Sequence, residues 1–289
     1  MNLSYSKMHG TGNDFIIIDL INKNYQIKCL NKLAKKLCER HFGVGGDGLI
    51  CVLPCDEKNN DFKMRIFNTD GSEAEMCGNG IRCFAHFVKE NNLTNKKRLK
   101  VETLAGVIKP EILEYNQGKS MVKVNMGKPL FKPQDIPVKI DQEKPSKLDF
   151  IEDYPLKIQE KKFNINCVSM GNPHSVIFDE DIENIDIKKW GSKIETHNIF
   201  PEKTNVEFIK IIDASEIEMK VWERGSGITL ACGTGACASV VAGIKKGLLN
   251  KEVTVHLPGG DLNIKWPGNS NNVLMTGPAE TVFTGETVI

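Results

Sequence analysis

The sequence predicts an α/β (α+β) chain of two pseudo-equivalent domains, each a sheet wrapped around one buried helix. Three observations carry that expectation. The length, 289 residues, exceeds what one compact core comfortably holds. Landmarks also recur in the same order about half a chain apart. Arg65-Ile66-Phe67 stands ten to twelve residues before Cys77-Gly78-Asn79-Gly80, and Lys220-Val221-Trp222 stands at the same distance before Cys232-Gly233-Thr234-Gly235. Upstream, Asn13 of Gly12-Asn13 lies 64 residues before Cys77, and Asn172 of Gly171-Asn172 lies 60 before Cys232. Three matches in register point to duplication. Finally, each motif opens an unusually apolar helix. Only Arg82 and His86 are polar among Ile81 to Val88, and Gly233 to Ile244 carries no charge. A helix apolar all round is buried all round.

The elements follow in order. Segment 14–20 reads as a strand. Asn31 to His41 places Leu33, Ala34, Leu37, Cys38 and His41 at helical spacing, with Asn31 as N-cap and Gly43 as the stop. Leu49 to Leu53 reads as a buried strand, and 63–67, 99–104 and 121–126 as further strands. Asn91 to Lys100 is polar and basic and reads as a solvated loop. Five of the twelve prolines fall between Pro129 and Pro155 among many charges. That shift places the boundary between an N-terminal domain, 1–127, and a C-terminal domain, 128–275. Segments 163–168, 174–178, 205–212 and 217–223 are strands of the second domain, and 276–289 returns to complete the first as a strand.

Composition excludes several functions. Lys plus Arg number 38 and Asp plus Glu 37, so the basic excess of a nucleic-acid or anionic-membrane binder is missing. The longest aliphatic or aromatic run, Phe15 to Ile18, is too short for a bilayer span, and the N-terminus lacks a signal-peptide plan. A soluble, cytoplasmic chain is expected, with no nucleic-acid or membrane partner. Nine cysteines, odd in number and without Cys-x-x-Cys, argue against a disulfide framework and against a metal site. Most read as small hydrophobes, Cys51 and Cys55 included.

Cys77 and Cys232 read differently. Each sits at a helix N-terminus, where unpaired N–H groups lower a cysteine pKa and can hold a carboxylate. Flanking glycines let backbone and ligand approach closely. Two cysteines facing one small molecule have a natural use. A thiolate removes a proton from a stereocentre and a thiol on the opposite face returns one, inverting the configuration. Without a cofactor as electron sink, such chemistry needs tight electrostatic support and exclusion of water, which two closing domains supply.

The chain resembles the diaminopimelate epimerases, pyridoxal-phosphate-independent amino-acid epimerases, over nearly its whole length. The resemblance rests on Met8 to Phe15, Phe67-Asn68 through Met76 to Cys83, Gly171-Asn172-Pro173-His174, Thr204-Asn205-Val206, and Trp222-Glu223-Arg224 leading to Ala231 to Gly235. It implies the family's fold of two mostly antiparallel, barrel-like sheets, each around a central helix. It implies interconversion of LL- and meso-2,6-diaminopimelate on the way to lysine and peptidoglycan, with no cofactor, in a homodimer. Cys77 and Cys232 are then the acid/base pair, Cys232 taking the proton and Cys77 giving it in the LL-to-meso direction. Substrate-binding positions carry over to Asn13, Asn68, Gly78, Asn79, Asn172, Asn205, Glu223, Arg224, Gly233 and Thr234, with His174 supporting. Two departures stand out. Gly48 stands where some members have a glutamine contact, and 129–162 reads as a polar surface insertion.

Other readings stay in play. Gly43 to Gly48 satisfies Gly-x-Gly-x-x-Gly, but it follows a helix and precedes a strand, the reverse of a Rossmann turn. A thiol redox or metal-binding module would use the cysteines otherwise, and a partner-binding module leaves the duplicated motif unexplained. Proline racemase-like enzymes typically carry His where Asn79 stands. Histidine racemases lie closer; the polar site-lining set, Glu223 with Arg224 included, makes diaminopimelate the leading substrate among related racemases.

Overall fold

A computed structural model describes residues 2–22, 25, 27, 29–140 and 149–289. The chain runs β1 (Asn2–Gly10), β2 (Asn13–Asp19), α1 (Leu30–Cys38), β3 (Gly48–Leu53), β4 (Phe62–Asn68), β5 (Glu73–Ala74), α2 (Gly78–Glu90), β6 (Val101–Thr103), β7 (Gly106–Ile108), β8 (Glu111–Asn116) and β9 (Lys119–Asn125). It continues through β10 (Ile151–Ile158), β11 (Lys161–Ser169), β12 (Pro173–Phe178), α3 (Ile187–Glu195), β13 (Asn205–Asp213), β14 (Glu216–Glu223), β15 (Gly227–Ile228), α4 (Gly233–Lys245), β16 (Glu252–Leu257), β17 (Gly260–Lys265) and β18 (Leu274–Val288). The fold is mixed α/β and mostly sheet.

Two compact units divide the chain, one of Met1–Asn125 with Thr276–Ile289, the other of Met126–Met275. In the first, β2 pairs antiparallel with β1 and parallel with β3, β3 antiparallel with β4, and β4 parallel with β6, which turns back as β7. Strand β18 joins antiparallel along β1, and the β8–β9 hairpin lies beyond it. The second unit repeats the pattern. Strand β12 is antiparallel to β11 and parallel to β13, β13 antiparallel to β14, and β14 parallel to β16, which turns back as β17. Strand β10 extends that sheet along β11.

The two pairings match residue by residue. Met8, Phe15 and Gly48 pair in sequence in the first unit, and Val168, His174 and Asn205 in the second. Leu49 faces Phe67 as Val206 faces Trp222, and Ile50 faces Ile66 as Glu207 faces Val221. The duplicated landmarks of the sequence are therefore equivalent positions of one repeated sheet.

Each central helix runs against its own sheet, α2 against β1, β2, β3, β8 and β9, α4 against β11, β12, β13 and β17. Ile81, Cys83, Phe84, Ala85 and Val88 of α2 are fully buried, as are Ala236, Cys237, Ala238, Val240, Val241 and Ala242 of α4. Burying each large apolar side chain contributes about 1.5–3 kcal/mol, so these helices anchor their units. The third residue after each cysteine is a glycine in close contact with the sheet. A Cβ on Gly235 would lie 2.7 Å from Glu207 Oε1, and one on Gly80 3.1 Å from Ile66 and 3.2 Å from Ile50.

Several expectations need correction. Asn31 lies inside the first turn of α1, whose N-cap is Cys29, and its side-chain Oδ1 accepts from the Lys32 N–H. Gly43 lies beyond the helix end, packed where a Cβ would stand 2.3 Å from the Lys36 carbonyl oxygen. The described part of 129–162, which leaves out 141–148, is not the polar surface segment expected. Ile136, Val138, Ile140, Ile151, Leu156 and Ile158 enter the core of the second unit. Their alternation with charged residues hid an inward face. Among the described residues, no helix is long and apolar enough to cross a membrane.

Candidate active site

Cys77 is the N-cap residue of α2, in extended backbone, and is half-buried. Its thiol donates to Asn13 Oδ1 at 3.7 Å, and Asn79 Nδ2 donates to the same oxygen at 3.1 Å. Asn13 Nδ2 donates to Asp47 Oδ2 at 2.8 Å. A carboxylate only accepts, so Asp47 turns the amide with its oxygen toward Cys77. Asp47 is held in turn by Arg40, which also reaches Asp14. Burial pushes the Asp14 carboxyl up, but hydrogen bonds from Arg40 and Lys7 outweigh it and hold the pKa at about 2. This charged cluster was missed because Asp14 opens a segment read as a strand and Asp47 lies in a glycine-rich loop.

The buried Arg82 closes the first turn of α2. Its guanidinium donates to Asn79 Oδ1 at 3.0 Å, Thr11 Oγ1 at 3.3 Å and the Pro278 carbonyl oxygen at 3.0 Å. Gly78 is buried behind Cys77. Asn68 is exposed at the end of β4, donating to Ser72 Oγ at 3.0 Å. At Gly48 a Cβ would stand 2.9 Å from the Phe67 carbonyl oxygen, so no side chain fits there.

Cys232 is the N-cap of α4 and 4% exposed. The Gly235 N–H donates to its Sγ at 3.3 Å, and Thr234 Oγ1 lies 3.5 Å away. Asn172 Nδ2 donates to Thr234 Oγ1 at 3.4 Å, and Asn172 Oδ1 lies 3.0 Å from His174 Nε2. His174 Nδ1 lies 2.7 Å from Glu207 Oε1, both side chains fully buried. Asn205 Nδ2 donates to the Pro173 carbonyl oxygen at 2.9 Å, and its Oδ1 accepts from the Arg224 N–H at 2.9 Å. The Arg224 guanidinium reaches the Glu202 carbonyl oxygen at 3.0 Å. Glu223 accepts from Thr229, and Gly233 is buried in the first helical turn.

One electrostatic expectation is overturned. Burial pushes the Cys232 thiol well above the ordinary cysteine range, and the Glu223 and Glu207 carboxylates push it further. The Thr234 and Gly235 donors act the other way without prevailing. Burial likewise raises the Glu223 carboxyl, opposed by hydrogen bonds with Thr229 and Cys232. The helix terminus alone therefore does not make this cysteine acidic. None of the nine cysteines forms a disulfide, and burial pushes Cys38 and Cys83 up to about 12, as suits structural thiols.

The family model for diaminopimelate epimerase matches residues 5–132 and 166–282. The diaminopimelate epimerase of Halothermothrix orenii is 63% identical over 289 residues, covering 100% of this chain and 99% of its own. The chain belongs to the diaminopimelate epimerase family. That of Carboxydothermus hydrogenoformans is 53% identical over 285 residues, covering 98% and 99%. The fold recurs more widely. A PhzF-family phenazine biosynthesis protein of Bacillus anthracis superposes with a TM-score of 0.70 at 17% identity, covering all of both chains. A hydroxyproline epimerase of Agrobacterium vitis superposes with a TM-score of 0.68 at 13% identity, covering 99% of this chain and 92% of its own. Like other diaminopimelate epimerases, the chain is an isomerase.

For this epimerase, Glu223→Gln carries a definite sign. The Glu223 charge raises the Cys232 pKa, so its removal lowers it. Thiolate absorbance, taken as the difference from Cys232→Ala, is expected to appear at lower pH than in the parent. An unchanged or higher onset would contradict the assigned coupling.

Proposed function

We propose that Cys232 and Cys77 are the base and acid of a cofactor-independent epimerisation of 2,6-diaminopimelate, LL to meso, with the roles reversed in the other direction. The observation that carries the assignment is the opposite polarity of two equivalent asparagines. Asn13 offers its oxygen to the Cys77 thiol, which favours the protonated form. Asn172 offers its amide hydrogens to Thr234, leaving the Thr234 hydroxyl hydrogen for Cys232. The base has to form its thiolate against burial and two carboxylates, so it is a strong base once formed.

The same reading gives Asn13, Asn68, Gly78, Asn79, Asn172, Asn205, Glu223, Arg224, Gly233 and Thr234 to substrate binding and His174 to their support. A substrate with two zwitterionic ends needs such a mixture of donors and acceptors. Two further parts of the reading are a cytoplasmic homodimer, tested by sedimentation, and placement in lysine and peptidoglycan precursor synthesis.

The test is incubation of reduced protein with LL-diaminopimelate, without pyridoxal phosphate, followed by chiral separation. Conversion toward the meso isomer is expected. Folded protein that inverts histidine or proline but leaves diaminopimelate unchanged would overturn the substrate.

A further inference from the structure

We infer that Glu207 is a positioning residue for the acid/base chemistry of Cys232, acting through His174, Asn172 and Thr234. The inference rests on the role of Cys232 proposed above. Three side chains connect the carboxylate to the sulfur. His174 Nδ1 lies 2.7 Å from Glu207 Oε1, and Nε2 lies 3.0 Å from Asn172 Oδ1. Asn172 Nδ2 lies 3.4 Å from Thr234 Oγ1, which lies 3.5 Å from Cys232 Sγ.

Donor and acceptor bookkeeping gives this chain a direction. A carboxylate and an amide oxygen both accept, so both ring nitrogens of His174 donate. With its oxygen held by His174, the Asn172 amide turns its hydrogens to Thr234. The Thr234 oxygen is then an acceptor on that side, and its own hydrogen points to the sulfur. Such a bond supports the thiolate. With the carboxylate charge gone, the buried imidazole loses the partner for its second hydrogen. The amide is then free to turn over, and Thr234 becomes the acceptor of the Cys232 hydrogen. The polarity at the sulfur reverses.

The repeated sheet shows that the fold does not need this pair. His174 and Glu207 occupy the register positions of Phe15 and Ile50 in the other unit. Gly80 packs on Ile50 where Gly235 packs on Glu207. One copy of the sheet fills both places with apolar side chains, and the copy carrying Cys232 fills them with a buried charged pair. Buried pairs of this kind add little stability over hydrophobic replacements. The second oxygen of Glu207 is also buried without a hydrogen-bond partner among the described residues, which is unfavourable for folding. The arrangement suits the chemistry beside it.

The test compares Glu207→Gln and the double variant His174→Phe with Glu207→Ile against the parent and Cys232→Ala. The charged groups facing Cys232 are Glu223 and Glu207, and those facing His174 are Glu207 and Glu223. The double variant replaces both groups by the apolar residue types that the other unit carries at the same register positions. For Glu207→Gln, kcat is expected to fall about tenfold to a hundredfold, with KM within about twofold. Loss of the Glu207 charge by itself acts to lower the Cys232 pKa, so the expected onset of thiolate absorbance at higher pH reads the reversed hydrogen bond alone. The double variant is expected to fold and to show the same two changes. Parent-like kcat and thiolate onset in Glu207→Gln would overturn the inference, as would a double variant that fails to fold. If Cys232→Ala turned over substrate normally, the proposed role of Cys232 would fail instead.

Discussion

Alanine at Cys232 or Cys77 is expected to reduce epimerisation by about a thousandfold or more while leaving the chain folded. Each cysteine caps its helix through a small side chain in extended backbone, and neither bridges another cysteine. Replacement removes a sulfur without opening a large cavity. The chemistry is less forgiving, because an α-proton must leave to one group and arrive from another. Losing either stops inversion, so the double variant is expected to be no worse than each single one. This non-additivity marks residues that work as a unit. A single variant retaining a tenth of parent turnover would exclude that residue as acid or base.

The second large effect is on stability. Arg82→Met is expected to destabilise the first unit by about 3–4 kcal/mol, because several buried acceptors lose their donor together. Arg82 is fully buried and joins the first turn of α2 to Thr11 after β1 and to Pro278 in β18. Thr11 itself sits at φ 53°, a left-handed conformation that the surrounding bonds maintain. Chemical denaturation checks the magnitude, and hydrogen exchange checks the place. Amides of β1 and β18 are expected to lose protection while those of α4 and β13 keep theirs. A change below about 1 kcal/mol would show that Arg82 does not hold this corner.

Much of this was legible in the sequence, for physical reasons that differ between elements. The two central helices stood out because nearly every face is apolar, a pattern that only burial explains. The strands beside them were legible where both faces are buried, as in Leu49 to Val52. Strand β10 was not, because Glu152, Asp153 and Pro155 interrupt it while Ile151, Leu156 and Ile158 face inward. Strand β1 lay hidden in a mixed run of Ser, Lys and His, whereas a returning strand was expected over 276–289, and β18 spans Leu274–Val288 although it carries Gly277-Pro278 and Gly285. Its pairing along β1 outweighs those local breakers.

The site was legible in part. The cysteines, their glycines and the paired asparagines announced themselves through duplication. The groups that orient them did not. Asp47 reads as a loop aspartate beside glycines, and only its bond to Asn13 shows what it does. Glu207 lies in Val206-Glu207-Phe208, where a single carboxylate interrupts a buried strand. Aligning the duplicated halves on their asparagines and cysteines does not by itself reach that position, because the helix between the paired strands differs in spacing. The paired register supplied the comparison with Ile50.

The central claim is that two different groups handle the proton, one on each side of the α-carbon. Early turnover of LL-diaminopimelate in deuterium oxide tests it most directly. A thiol holds a single proton, so the proton removed stays on the base while the proton delivered comes from a thiol equilibrated with solvent. The expected result is meso product carrying deuterium at the inverted carbon, with recovered LL substrate free of deuterium. Product that keeps the original hydrogen would mean that one group carries it across, and would contradict the account.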